Sequence, residues 1–256
     1  MPNSSFLIGV NTQGVITYDG VASTDYGIVV SEATTFERPT RKQTVYQIPG
    51  RNGSVLFQED AWEDVTRSYK VWLAEDVVED SGGNRSGYLV EKVDAYEALL
   101  NSKSGYLKLT DNFEPDVYRL AYYSGGDSFS NEMTQYGRAT LRFTCRPERF
   151  LVSGDTAKTV TNGSTMNNPT RFASKPLIHI EGTGAVSVSF GGKTINATLT
   201  DYINIDCDRQ NAYRLESENK NSLISGSFPV LKSGDNTITI TGTTTLVQIT
   251  PRYFTI

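Results

Sequence analysis

The chain has one histidine, His179, and two cysteines, Cys145 and Cys207, in 256 residues. A zinc site built from several histidines is therefore excluded. No paired-cysteine metal motif exists, and there is no disulfide framework. A Ser-His-Asp or Cys-His enzyme would have to use His179 as its base. His179 stands between two isoleucines in KPLIHIEG, where a strand histidine facing solvent or a partner is the simpler reading. Phosphate loops are also missing, since Gly182-Thr183-Gly184 and Gly191-Gly192-Lys193 read as hairpin turns and neither opens a helix. There is no basic run; Arg38, Arg41 and Lys42 come nearest. The net charge of −5 argues against a chain whose main task is gripping nucleic acid. No apolar segment approaches the roughly 20 residues that span a bilayer. The opening MPNSSFLIGV lacks a basic n-region and has only a short apolar run at 6–10, so a cytosolic site of synthesis is expected. Asn-x-Ser/Thr triplets at Asn52, Asn84, Asn162 and Asn196 then read as chance matches.

What the chain does contain is alternation. Its length suits one large or two medium domains, with enough core to fold without disulfide or metal. Short segments of period two separated by Gly, Asn and Asp turns predict a mainly β protein. In the first half the expected strands are 15–18, 27–32, 44–48, 55–59, 67–73, 106–110, 117–122 and 138–146. One segment differs. Leu89, Val93, Tyr96 and Leu100 recur at spacings of four, three and four, which predicts a helix over 88–103 with Ser86 as N-cap and Gly105 as stop. Residues 150–175 lose periodicity and read as the passage between domains. Strands resume at 177–181, 186–190, 193–199, 202–207, 212–217, 237–241 and 245–250, which makes a β-sandwich the first choice. Cys145 alternates with Leu141 and Phe143, and Cys207 with Ile203 and Ile205, so both read as small core residues.

The most informative stretch is 44–60, TVYQIPGRNGSVLFQED, which reads as a hairpin closed by Pro49, Gly50, Arg51, Asn52 and Gly53. Pro49 fixes φ, and the glycines can take positive φ. Among the carboxylates the best cluster is YINIDCD. Period-two alternation places Tyr202, Asn204, Asp206 and Asp208 on one face, which is either a glycan or ion face or a solvated outer strand. Glu59, Asp60, Glu63 and Asp64 surround Trp62, an aromatic that could stack on a sugar or anchor an oligomer contact. Nothing brings a base, a nucleophile and an oxyanion donor together, so no enzyme and no cofactor are expected.

Ile48-Pro49-Gly50-Arg51-Asn52-Gly53 resembles the "pGrnG" hairpin of phage distal tail proteins, the tail-tip hubs of long, non-contractile tails. Four more stretches resemble that family in its own order. They are ITYDGVASTDYGIVV at 16–30, KVWLAEDVV through the helix to GYLKLTD at 70–111, GRATLRFTCRPERF at 137–150, and a last group that ends in FPVLKSGDNTITITG. Within that last group the element at 228–236 is the sharpest. Two departures are Lys232-Ser233, where a proline before the glycine is common, and the long acidic region 73–88.

The resemblance implies a ring-forming, tail-tube-like β-barrel or split barrel over 1–152 and a galectin-like β-sandwich over 153–256. It implies a structural virion protein, made in the host bacterial cytoplasm, that forms a homo-hexameric ring at the distal end of a tail and joins the tube to the adsorption apparatus. Its partners would be copies of itself, the tail-tube protein, a tail-associated protein and a receptor-binding protein, with no specific nucleic-acid binding and no membrane insertion. Interface residues expected on this basis are Pro49–Gly53, Tyr122 and Tyr136. The alternative is a carbohydrate-binding module that attaches the tail tip to the host wall, through the Tyr202, Asn204, Asp206 and Asp208 face.

Overall fold

The computed structural model describes residues 14–33, 37–73, 86–126, 130–131 and 137–256. The chain divides into two compact units, the second formed by residues 149–255. Among the described residues the protein is all-β apart from one long helix, and none of its helices is long and apolar enough to cross a membrane.

In the first unit the strands are β1 (Ile16–Tyr18), β2 (Val21–Ala22), β3 (Ile28–Ala33), β4 (Arg41–Gln47), β5 (Ser54–Trp62), β6 (Val65–Leu73), β7 (Leu107–Asp111), β8 (Val117–Gly126), β9 (Ser130–Asn131) and β10 (Gly137–Leu151), with helix α1 (Ser86–Ser102) between β6 and β7. The main sheet runs β2-β1-β7-β8-β10-β6-β3 and curls into a half-barrel. Alternation decides its faces: Val65, Tyr69 and Val71 on β6 and Leu141, Phe143 and Cys145 on β10 are buried. Tyr96 and Leu100 of α1 join this core, and Val93 packs against it. Tyr96 lies 5.3 Å from Tyr26, which follows β2. The helix starts at Ser86, so the residue expected as its N-cap is its first residue, and Gly105 follows its end at φ 79°. Leu89 lies outside the described side chains.

One charged cluster sits inside this core. Asp111 ends β7 with one oxygen accepting the N–H groups of Phe113 (3.1 Å) and Glu114 (3.0 Å), which folds the following turn. Its other oxygen accepts from Arg67 Nη2 (3.0 Å) and Tyr69 Oη (2.7 Å). Glu114 adds a second anion to Arg67 at 3.4 Å and pairs with Arg119 at 2.6 Å. Burial, then Asp111 beside it, holds the Tyr69 phenol well above its ordinary value.

In the second unit the strands are β11 (Lys158–Thr159), β12 (Thr165–Asn168), β13 (Leu177–Phe190), β14 (Lys193–Leu199), β15 (Tyr202–Asp206), β16 (Asn211–Tyr213), β17 (Ile224–Gly226), β18 (Gly234–Thr237), β19 (Thr239–Thr250) and β20 (Phe254–Thr255). The sequence suggests short strands at 177–181 and 186–190, yet one long strand, β13, spans both. Its first half pairs with β15 and its second with β14, while β19 follows along its other edge. Register shifts at Glu181/Gly182 and Thr183/Ser187 break the ladder between the halves. The backbones touch there: a Cβ on Gly182 would lie 2.4 Å from the Thr243 carbonyl oxygen. Both halves feed one sandwich core, Ile178 and Ile180 from the first and Val186, Val188 and Phe190 from the second. Residues 150–175, aperiodic in the sequence, lie wholly in this unit and bury Val160, Met166 and Asn168. The unit begins and ends side by side, with Arg149 opposite Thr255 and Phe150 opposite Phe254. Cys145 and Cys207 are buried and free, and burial pushes both thiols up to about 12, so they stay protonated and inert.

Asp111→Ala leaves Arg67 buried without its nearest carboxylate and frees two turn amides. A loss of about 3–5 kcal/mol is expected by chemical denaturation, against less than 1 for Asp116→Ala on the surface.

Candidate functional site

Two surfaces stand out once the cores are removed. The first is the hairpin of β4 and β5. Its register is Thr44 with Phe57, Val45 with Leu56 and Tyr46 with Val55. The turn is a type II turn: the Ile48 carbonyl accepts from Arg51 N (3.2 Å), Pro49 occupies the first corner and Gly50 the second at φ 79°. A Cβ at Gly50 would meet nothing within 4 Å, so φ and not crowding demands the glycine. Pro49 to Gly53 are thus brought together at the tip.

What sequence reasoning missed lies along the strands behind that tip. Phe57 is 61% exposed, Tyr46 55%, Val45 54%, Leu56 50% and Ile48 45%. Val45 and Tyr46 are consecutive, as are Leu56 and Phe57, so apolar side chains occupy both faces of a two-stranded ribbon. The signal was present as apolar residues at both parities, where a half-buried strand shows only one. Tyr46 and Phe57 meet edge-on at 5.7 Å, and Arg41 lies 5.2 Å over the Trp62 ring at the base. Trp62 therefore anchors the hairpin base. An isolated two-stranded ribbon is marginal in water, and among the described residues nothing covers the apolar surface of this one.

Tyr122 stands elsewhere, on β8, packed edge-on against Tyr106 at 5.4 Å. Tyr106 Oη donates to Asp64 at 2.5 Å, and that hydrogen bond is the main cause pushing the phenol up to about 12. Tyr136 lies outside the described residues.

The second surface is the outer face of β15. Tyr202 and Asn204 share it, half-buried. Asp206 is only 2% exposed and is committed to the fold. Arg252 clamps its two oxygens at 2.8 and 3.1 Å, and Oδ1 also accepts the N–H groups of Asp208 (2.9 Å) and Arg209 (3.1 Å). Burial raises the Asp206 pKa, but these hydrogen bonds and the Arg252 charge outweigh it and hold the carboxyl below its usual value. Asp208 sits in the turn beyond the strand, 3.2 Å from Lys175. The expected four-residue face is therefore two residues wide, and no metal-ligating group of three occurs among the described residues. His179 lies beside it on β13, with Nδ1 2.8 Å from Asn204 Oδ1 and Nε2 3.1 Å from Glu181.

The 228–236 element has a structural cause. Asn236 is buried, its Nδ2 donates to the carbonyls of Lys232 (2.8 Å) and Gly234 (2.9 Å), and its Oδ1 accepts from Lys232 N (2.9 Å). A side-chain amide replaces the partners that the loop backbone lacks.

The fold is that of phage tail-hub and baseplate proteins. One similar structure is the Dit protein of phage SPP1, described as a paradigm of the hub adsorption apparatus in phages that infect Gram-positive bacteria. It is 16% identical, with 92% of this chain and 98% of that chain covered and a TM-score of 0.67. A chain of the phage p2 baseplate, in its activated conformation with Sr, is 10% identical over 93% of this chain and 97% of that chain, with a TM-score of 0.52. No family model matches the chain, and no curated protein does.

Because the folded Asp206 pKa is depressed, its clamp contributes stability above the ordinary carboxylate range and loses it as pH falls through the lower folded value. Arg252→Ala should cost about 3 kcal/mol near neutrality. In urea melts from pH 7 to pH 2, the gap between wild type and variant should shrink steadily below about pH 4.

Proposed function

We propose that this protein is a structural subunit of a phage tail tip, forming a hexameric ring that joins the tail tube to the adsorption apparatus. The observation that carries the reading is likeness along both units at once: nearly the whole chain matches nearly the whole SPP1 hub protein. On this reading the first unit, tail-tube-like, closes the ring, and the second is a galectin-like sandwich. The tail-tube protein, a tail-associated protein and a receptor-binding protein are its neighbours.

The hairpin supports self-assembly. A ring needs a heterologous interface, one patch meeting a different patch on the next copy. A ribbon with Val45, Tyr46, Ile48, Leu56 and Phe57 exposed is such a patch, and burying those side chains on a neighbour would stabilise the contact at roughly 25 cal/mol per Å² of apolar surface. Unpaired strand edges offer backbone pairing as well. The tip residues Pro49–Gly53 and the exposed Tyr122 are the proposed contacts. A second role, holding the tip to a wall saccharide, is favoured by one observation: Tyr202 and Asn204 stand beside His179 on an outer sheet face.

Gold-labelled antibody against this chain, applied to particles that carry it, should decorate the end of the tail in electron micrographs. Label on the capsid, or none on intact particles and their detached tails, would overturn the reading. Deleting Gly50–Gly53 should leave a folded monomer, with the wild-type circular dichroism spectrum, that no longer elutes as a ring on size exclusion.

A further inference from the structure

The outer face of the second unit carries a row of polar side chains. The registers of β11, β19, β13, β15 and β16 place Thr159, Gln248, His179, Asn204 and Tyr213 side by side on five neighbouring strands. Five strands at a spacing of about 4.8 Å make a row roughly 19 Å long. The alternate residues, Ile178, Ile180, Ile203, Ile205, Val247 and Ile249, face the core. Packing therefore explains those six and not the polar row.

The row is ordered by its own hydrogen bonds. His179 Nδ1 lies 2.8 Å from Asn204 Oδ1, and Asn204 Nδ2 donates to the Arg214 carbonyl at 3.1 Å. Gln248 Nε2 lies 3.5 Å from Thr159 Oγ1. One row along, Tyr202 is flanked by His179 at 5.6 Å and by the Arg214 guanidinium at 4.9 Å. The Arg214 guanidinium pairs with Asp201, and Glu181 lies 3.1 Å from His179 Nε2. Side chains left only to face water need no such fixed arrangement, because holding them costs rotamer entropy.

We propose that this row, with Tyr202 at its border, binds a neutral saccharide. Three features select that chemistry. Amide, hydroxyl and phenol groups offer both donors and acceptors, which matches a polyol, and His179, bonded through both ring nitrogens, holds Asn204 in place among them. The row holds no lysine or arginine, and Arg214 beside it is paired with Asp201, so nothing there selects a phosphate-rich polymer. Two tyrosines add amphipathic ring surface to an open, extended face, which suits a chain of sugar rings better than a compact ligand. That the saccharide belongs to a cell surface rests on the tail-tip reading; the binding chemistry does not.

The test uses the full-length purified protein on a printed panel of neutral bacterial and plant oligosaccharides, with polyglycerol phosphate as the acidic control, followed by calorimetric titration of the best binder. Wild type should bind at least one neutral oligosaccharide. His179→Ala and Gln248→Ala should each weaken that binding about fivefold, and Tyr202→Ala about tenfold, with melting temperatures within about 2 °C of wild type. Absence of binding to every neutral sugar overturns the proposal. So does binding confined to polyglycerol phosphate, or sugar binding that all three variants retain. The panel is read on isolated protein, so a negative result here leaves tail-tip labelling unaffected, and absent labelling leaves a positive panel standing.

Discussion

Each unit depends on one buried aspartate at the end of a strand. Asp111 closes β7 and Asp206 closes β15, and the two do the same work. In both, Oδ1 accepts the N–H groups two and three residues ahead, and an arginine from a distant part of the chain meets the carboxylate. A strand end in a β protein leaves backbone donors without a ladder partner, and a buried one must be satisfied. The aspartate supplies the acceptor, and the arginine keeps the anion from standing alone in the core. In the first unit this fixes the turn between β7 and β8, so that the half-barrel can close over Phe143 and Tyr69. In the second it ties the residues after β19 to the end of β15, and the chain can then return to lie beside Arg149 and Phe150.

The hairpin obeys the opposite constraint. Its turn is built with the same care, Pro49 and Gly50 setting a type II corner, yet its strands bury almost nothing. Five large apolar side chains in contact with water are a cost to a lone chain and an asset to an assembly. The tail-tip reading accounts for that cost with a neighbouring copy. Among the described residues the one histidine is held between Asn204 and Glu181, and both thiols are buried.

Much of the fold was legible because it rests on local pattern. The period-two segments, the single helix through Tyr96 and Leu100, and the core cysteines all follow from side-chain spacing. The aspartates were harder to place. Asp206 has the correct parity for an outer face, and nothing near it in sequence announces Arg252, forty-six residues on. Long-range pairing of that kind leaves no periodic trace. The continuity of β13 through Gly182 and Gly184 was hidden for a similar reason, since Gly182, which reads as part of a turn, permits the close approach of β19. The element at 228–236, by contrast, is marked in the sequence as a motif, and the hydrogen bonds of Asn236 are its structural cause.

The candidate surfaces were legible in part. The turn at 49–53 could be read from its residues, whereas the exposure of Phe57 and Leu56 behind it depends on what does not pack there. The central claim is that these exposed residues join copies into a ring, and the most direct test is the solution mass of the wild-type chain by light scattering after size exclusion. Six copies of the 28.2 kDa chain give 6 × 28.2 = 169.2 kDa, and the account predicts a single species of that mass. A species of 28.2 kDa at every concentration would contradict it.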